Sequence, residues 1–322
     1  MTKRTVLVTG ATGRIGRFVV RDLLNKGYQV RALSTNLQRA KTILGEDARL
    51  QLIEQDWLNQ IDFSMALNDV QGVIHLGAEI WRLDRMERIN IEVTQQLAQA
   101  AKQAGNTAFV FASSIAVYGS QKSTTATEDS PLLTASADIR GEYRAAVNLR
   151  SYGRSKVAAE EILRATFDGN ACSIVRPTVV VDKDQILAAI DDRGLKARIG
   201  QDRLTHFVYV EDVSAAMIWL MEQHLEGAIT FKDIQSYNVS DPVGEQLTHK
   251  ALQSGNLGEG TLRKLSPQSN LEKFILNLID MAKTKNLSLR QPFGLTKFPS
   301  DKLASLGFKA PHGLIHVLSD FH

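Results

Sequence analysis

Residues Thr5 to Gly16 read TVLVTGATGRIG. The short apolar run Thr5 to Val8 empties into Gly10, Gly13 and Gly16. A segment follows with Phe18, Val19, Leu23 and Leu24 on one side and Arg17, Arg21 and Lys26 elsewhere, before Gly27. The order is strand, tight turn, amphipathic helix. In such a turn the first glycine lets the chain reverse and the second lets the backbone approach a pyrophosphate. The third lets the helix pack closely on the strand. The helix's free amides and positive dipole end then face the phosphates. A second strand, Gln29 to Leu33, arrives at the distance a βαβ unit demands.

The bulk of the chain agrees with a globular enzyme. Its 322 residues can bury a large core, and 43% hydrophobic with 23% charged content is that of an ordinary folded protein. The 38 basic and 35 acidic residues are interspersed and net only +3. That argues against a nucleic-acid surface and leaves room for a locally held anionic ligand. The single cysteine, Cys172, excludes an intramolecular disulfide and reads as a buried strand position. Neither a signal peptide nor a membrane span is read, since Lys3 and Arg4 lead straight into a strand, so a cytoplasmic enzyme is expected. His312 and His316 stand four apart but lack a third ligand at matching spacing, so no metal is expected.

Along the chain, Ser34 follows the second strand where an NAD-preferring fold would place an acid. Arg14, Arg31 and Arg39 lie in the same region, and a guanidinium there would pair with a 2′-phosphate, which leans the reading towards NADP. Leu50 to Glu54 is a third strand ending at Asp56, either an acceptor for an adenine amino group or a helix cap before Trp57 and Leu58. Gly72 to Leu76 is a fourth, buried strand; Gly77 and Ala78 after it are small enough for a ribose to lie on the backbone, and His75 reads as packed. Glu79 to Arg88, with Trp81, either lines the substrate entrance or is a solvated connection. Asn90 begins a long helix to Ala104.

Ala108 to Ala112 is the fifth strand and empties into Ser113 and Ser114, at the end of the sheet where chemistry sits in open parallel folds. Between Ser120 and Arg150 lies a charged segment whose Arg140, Arg144 and Arg150 either grip an anionic substrate or form a solvated face. Then come Tyr152 and Lys156, four apart and so on one helix face. A phenol titrates near ~10 in water and needs an adjacent ammonium to shuttle protons at neutral pH. Cys172 to Val175 is the sixth strand, ended by Arg176 and Pro177. Val181 to Leu204 is charged and partly helical, His206 to Val210 a strand, Glu211 to Glu222 a helix and Tyr237 to Val239 a last strand. Glu272 to Lys283 carries an apolar stripe fit for a small-domain core.

Together, TGATGRIG, Asp56, HLGA at His75 to Ala78, Asn90, SSIAVYG at Ser113 to Gly119, YGRSK at Tyr152 to Lys156, Arg176-Pro177, FVYVEDV and YNVSD occur in an order that resembles the extended short-chain dehydrogenase/reductases, the NAD(P)-dependent epimerase/dehydratase group. The resemblance implies an α/β Rossmann fold, a doubly wound parallel sheet with a small C-terminal substrate-binding domain. It divides the chain into a dinucleotide domain, residues 1–180 plus 205–240, and a substrate domain, residues 181–204 plus 241–322. It implies Ser114, Tyr152 and Lys156 as the catalytic set: Tyr152 moves a proton at the substrate oxygen, Ser114 steadies that oxygen, and Lys156 tunes Tyr152 and holds the ribose. The implied cofactor contacts are Gly10, Thr12, Gly13, Arg14 and Ile15 in the turn, with Arg31, Asp56 and Trp57. Leu76, Gly77, Ala78 and Pro177 complete them beside Tyr152 and Lys156. The family's habit also implies a homodimer through the Tyr152 helix and its predecessor.

Two departures narrow the subclass. Sugar-nucleotide dehydratases of this group place an Asp-Glu pair where this chain has Ile115 and Ala116, and many epimerases follow the sixth-strand Arg with an Asn where Pro177 stands. The expectation is therefore an NADP-preferring oxidoreductase, with NAD as the other option, that interconverts a carbonyl and a secondary alcohol on a small molecule, an anionic one being compatible with the arginines named above. The alternatives are an NAD-dependent sugar-nucleotide epimerase and a non-catalytic redox sensor.

Overall fold

The computed structural model describes residues 4–59, 61–105, 108–119, 121, 123–134, 147–169, 171–192, 203–255 and 296–321. The expected first unit forms as strand β1 (Thr5–Thr9), helix α1 (Gly16–Asn25) and strand β2 (Gln29–Ser34). Then follow α2 (Leu37–Leu44), β3 (Leu50–Glu54), α3 (Ser64–Leu67), β4 (Gly72–His75), α4 (Leu83–Met86) and α5 (Val93–Gln103). The next elements are β5 (Ala108–Ala112), α6 (Val147–Thr166), β6 (Cys172–Pro177), β7 (Val179–Val181) and α7 (Lys183–Asp191). Last come β8 (Phe207–Tyr209), α8 (Val210–Leu225), β9 (Gln235–Val239), α9 (His249–Ser254), α10 (Asp301–Ser305) and α11 (Leu314–Ser319).

Seven strands pair in parallel in the order β3-β2-β1-β4-β5-β6-β9. The order reverses between β1 and β4, and a crevice opens beyond the strand ends at that switch point. Alternation along β1 explains the two cores. Val6 and Val8 face a cluster with Val19, Val20 and Leu23 of α1 and Val213, Met217 and Leu220 of α8. Leu7 faces the other way, into a cluster with Val73, Phe109, Phe111, Leu97 of α5 and Ala159 and Leu163 of α6. Both faces of the sheet are thus covered, as a doubly wound fold requires.

The described C-terminal residues Leu303, Leu314, Val317 and Leu318 join the α1/α8 cluster. They are stapled there by two buried carboxylates. Asp212 accepts from the amides of His312 (2.8 Å) and Gly313 (2.9 Å), and Asp241 accepts from Leu314 N (2.8 Å).

Three local readings shift. Tyr152, whose run is expected to open its helix, lies inside α6, which already covers Val147. Asn90 does not open a helix but lies inside a π-helical turn, Glu87–Glu92, that runs into α5. The charged segment after Pro177 opens with β7, which pairs in parallel with β8 in a separate two-stranded sheet; Asp182 and Gln185 then close a capping box that starts α7. Arg140, Arg144 and the Glu272 to Lys283 stripe lie outside the described residues.

The glycine turn is as tight as its spacing predicts. Gly10 has φ +63°, and a Cβ on Gly16 would stand 2.1 Å from the Gly10 carbonyl oxygen. Gly16→Ala is expected to cost at least ~2 kcal/mol of unfolding free energy in urea melts, because the obstacle is backbone and cannot swing aside.

Candidate active site

A cleft of about 800 Å³ opens beyond the ends of β1 to β4. Gly10, Thr12, Ser34, Thr35, Glu54, Asp56, Trp57, Leu58, Gly77, Ala78 and Glu79 are among its lining residues. Two observations fit it to a dinucleotide. The Gly10 backbone lies so close to the Leu76–Gly77 peptide that a Cβ would stand 2.8 Å from it. The N-terminus of α1 has no side-chain cap and no acid in its first turn; Arg17 N and Phe18 N donate to Gly13 O and Ile15 O, and the positive end of the helix dipole still faces the cleft.

The expected contacts sort into three groups. Gly10, Thr12, Asp56, Trp57, Gly77 and Ala78 border the cleft. Gly13 closes the turn by donating its amide to Gly10 O (2.9 Å), Ile15 packs on the core behind it, Leu76 N donates to Thr9, and Pro177 ends β6 in register with Val239. Arg31 and Arg14, in contrast, are spent elsewhere. Arg31 donates to Gln51 (3.0 Å) and to the carbonyls of Ala66 (3.3 Å) and Asn68, so the expectation that it meets the cofactor is corrected. It lies in mid-strand, where its guanidinium caps the chain leaving α3 and does not reach the strand end. The Arg14 side chain donates to Val180 O (2.9 Å) and fastens the turn to β7.

Asp56 borders the cleft but caps no helix, since Trp57 to Asn59 form a bend and the next helix starts at Ser64. It accepts from the Asn59 side chain (2.7 Å) and from Leu58 N (2.9 Å), bonds that hold its carboxyl below the usual range. Gly77 is small for a reason the sequence does not reveal: a Cβ there would stand 2.2 Å from the Trp57 ring. His75 is buried and neutral, its pKa lowered to about 3 by desolvation. Thr94 Oγ1 donates to Asn90 O, so it must accept from His75 Nε2, which places the ring proton there; Nδ1 then accepts from Thr9.

The chemistry-bearing residues meet where α6 crosses the end of β5. Gly153 makes the crossing possible, since a Cβ there would stand 2.5 Å from Ala116 O. Ser114 caps a 3₁₀ turn, Ile115–Tyr118, by accepting from Ala116 N (3.1 Å), and so keeps its own proton for another acceptor. Ser113 is spoken for: its hydroxyl donates to Glu160 (2.5 Å). This supports the choice of Ser114 over its neighbour. Lys156 is 1% exposed, donates to Ala112 O (2.7 Å) and lies 4.4 Å from the Phe111 ring centre and 5.7 Å from that of Tyr152. Burial lowers its ammonium from 10.5 to about 7, with the Glu160 carboxylate pulling the other way. Burial also raises the Tyr152 phenol. One of the three ammonium hydrogens of Lys156 is spent on Ala112 O, which leaves two for other acceptors.

Asn90, Ser155 and Glu79 lie in stretches quoted above, but their positioning role emerges only from the fold. Asn90 receives Glu79 N (2.7 Å) and donates to Glu79 O (2.8 Å) and Ser155 Oγ (2.8 Å), and Ser155 in turn donates to Tyr152 O (2.8 Å). The cleft wall is thereby tied to the turn that carries the phenol. An Asn buried within a helical run, where propensity disfavours it, is the signal that could have found it. Glu79 folds the next loop by accepting from the amides of Ile80 (3.0 Å), Trp81 (2.9 Å) and Arg82 (3.1 Å); Trp81 remains 75% exposed.

A dinucleotide cleft at the switch point, with Tyr and Lys one turn apart beside it, defines the extended short-chain dehydrogenase/reductase class. The chain belongs to the NAD dependent epimerase/dehydratase family, whose model matches residues 6–239. It is 32% identical over 177 residues to a UDP-glucose 4-epimerase of Haemophilus influenzae, covering 50% of this chain and 48% of that one. It is 31% identical over 185 residues to a putative dihydroflavonol 4-reductase of Synechocystis, covering 54% and 48%. The chain thus spans about half the length of these curated relatives. A short-chain dehydrogenase/reductase superfamily protein from Agrobacterium tumefaciens with bound NAD shares the fold at TM-score 0.66 and 21% identity, over 98% of this chain and 95% of that one. Among the described residues no helix is long and apolar enough to cross a membrane, and no group of three or more His, Cys, Asp or Glu is placed to hold a metal.

The buried Lys156 generates a stability prediction. Unfolded, it binds a proton up to about 10.5; folded, only up to about 7. Between those values the unfolded state holds more protons, so this group's contribution to stability rises with pH. The difference in unfolding free energy between Lys156→Met and the unaltered protein, read from urea melts, should fall steadily from pH 7 to ~10.

Proposed function

We propose that this protein is an NAD(P)-dependent oxidoreductase that interconverts a carbonyl and a secondary alcohol on a small, anionic molecule. The observation that carries the proposal is the seating of the Tyr152–Lys156 face of α6, through Gly153, against the segment capped by Ser114. Bound nicotinamide dinucleotide supplies the hydride acceptor or donor. Tyr152 gives the substrate oxygen its proton in reduction and takes it in oxidation. Ser114, with its proton unspent, hydrogen-bonds that oxygen, and Lys156 holds the nicotinamide ribose. The Phe111 ring beside the buried Lys156 excludes water from the amine, which strengthens its hydrogen bonds.

The preference for NADP rests on Ser34 standing where an acid would repel a 2′-phosphate. With Arg14 and Arg31 committed elsewhere, its arginine support is Arg39 on α2 and Arg85 at the cleft wall. The epimerase reading is supported by the match to the Haemophilus influenzae protein; it uses the same three residues and returns the hydride to the substrate, so cofactor consumption separates the two. We further propose a cytoplasmic homodimer, with residues 181–204 plus 241–322 forming the substrate side and residues 1–180 plus 205–240 the cofactor side.

Tyr152→Phe should lower kcat for carbonyl reduction by ~10³-fold while dinucleotide Kd stays within ~3-fold. Steady-state oxidation of NADPH across a panel of ketones and aldehydes, with fluorescence titration of the cofactor, checks both. Full turnover by Tyr152→Phe would overturn the assignment, and thermal shifts with NADPH against NADH decide the cofactor.

A further inference from the structure

Outside the Ser, Tyr and Lys set, the Glu160 carboxylate stands out among the described residues as a buried charge whose two oxygens are both engaged. It is 1% exposed, one helical turn beyond Lys156 and two beyond Tyr152, on the same face of α6. One oxygen receives Ser113 Oγ at 2.5 Å and Arg176 Nε at 2.9 Å; the other receives Arg176 Nη2 at 2.5 Å. Arg176 is also 1% exposed, and its remaining nitrogen donates to Tyr118 OH (2.9 Å), which donates to Asn238 on β9 (2.6 Å). Two ions taken wholly out of water cost several kcal/mol each unless their geometry is met in full. Here it is met, bidentate and closed by a hydroxyl.

The three elements joined by this carboxylate are those that bear the site. Ser113 precedes Ser114 at the end of β5, Arg176 precedes Pro177 at the end of β6, and Glu160 rides on the helix of Tyr152 and Lys156. The neighbouring bond from Lys156 to Ala112 O runs parallel to it, so β5 is held to α6 at two successive residues. We propose that Glu160 is a positioning residue: through Ser113 and Arg176 it sets the ends of β5 and β6 against α6, and so fixes Ser114 relative to Tyr152. Its negative charge, one helical turn from Lys156, has a second effect: it raises the proton affinity of that buried amine against the pull of desolvation.

The charged and titratable groups around the pair are known. Arg176 faces Glu160 from β6, Arg164 approaches it from α6 at 3.9 Å, and Tyr118 and the Glu128 carbonyl face Arg176 from the loop side. Lys156 meets His75 from β4 and Tyr152 from its own helix. His75 is neutral, so Glu160 is the carboxylate acting on Lys156 among these groups.

This inference rests on the oxidoreductase reading, and two variants separate its parts. Ser113→Ala removes the β5 half of the clamp and leaves the ion pair whole, so it threatens folding little. It should lower kcat ~10-fold with KM for the cofactor nearly unchanged and the alkaline limb of the kcat against pH profile unmoved; Ser113→Thr should restore the rate. Glu160→Gln keeps the shape but removes the charge. It should lower kcat ~100-fold and move the alkaline limb to lower pH, since Lys156 then loses its proton sooner. Glu161→Gln, one residue on and exposed, is the control and should match the unaltered protein. Unchanged kcat in Ser113→Ala, or a folded Glu160→Gln whose alkaline limb stays in place, overturns the proposal. If Glu160→Gln does not fold, Ser113→Ala decides alone. Tyr152→Phe run alongside tells the two readings apart: if it is inactive while Ser113→Ala is normal, only the clamp fails, and if it is fully active, the site assignment fails.

Discussion

A helix bearing a phenol and an amine reaches the end of β5 only because position 153 carries no side chain. The Ala116 carbonyl occupies the space a Cβ would need, 2.5 Å away. From that contact follow the Lys156 bond to Ala112 O, the Ser113 bond to Glu160 and the packing of Val157 with Ile115 and Val117. A larger residue would lift α6 off the sheet and take all three with it. The glycines of the first turn do the same at the other end of the cleft, where Gly10 lets β1 and the β4 exit approach backbone to backbone.

The region so assembled is electrostatically expensive. An ammonium brought down to about 7, a phenol raised by burial and a fully buried Arg–Glu pair sit within a few residues of one another. A core built for stability alone would place apolar residues there. Burial brings the Lys156 ammonium into the range where it exchanges protons near neutral pH and moves the Tyr152 phenol the other way; strongly perturbed groups of this kind cluster at functional sites. Stability is recovered around the rim: Asp212 and Asp241 hold the C-terminal segment by its amides, and Asn90 ties the cleft wall to α6.

Much of this was legible in the residues, and what was not has a common cause. β1, α1 and β2 follow from local spacing, since glycines and apolar period act within a few residues. The buried role of His75 and the shared face of Tyr152 and Lys156 follow for the same reason. Arg31 misleads because the carbonyls that bind it, at Ala66 and Asn68, are more than thirty residues away and enter only when α3 packs. Arg176 reads only as a strand-end arginine, and Glu160 carries no local signal, until β6 lies beside α6. β7 is three residues long and has no period to read; its partner β8 lies beyond a separate helix. Gly77 was read as room for a ribose, whereas its neighbour is the Trp57 ring. Local chemistry is written locally, and the supporting contacts are written across the sheet.

The most direct test follows the hydride itself. A nicotinamide dinucleotide carrying deuterium at C4 of its reduced ring is incubated with the protein and a carbonyl panel, and products are read by mass spectrometry. The account predicts one deuterium on the carbinol carbon of a single product class, transferred from one face of the ring. Saturable cofactor binding with no deuterium leaving the ring for any carbonyl offered would contradict it.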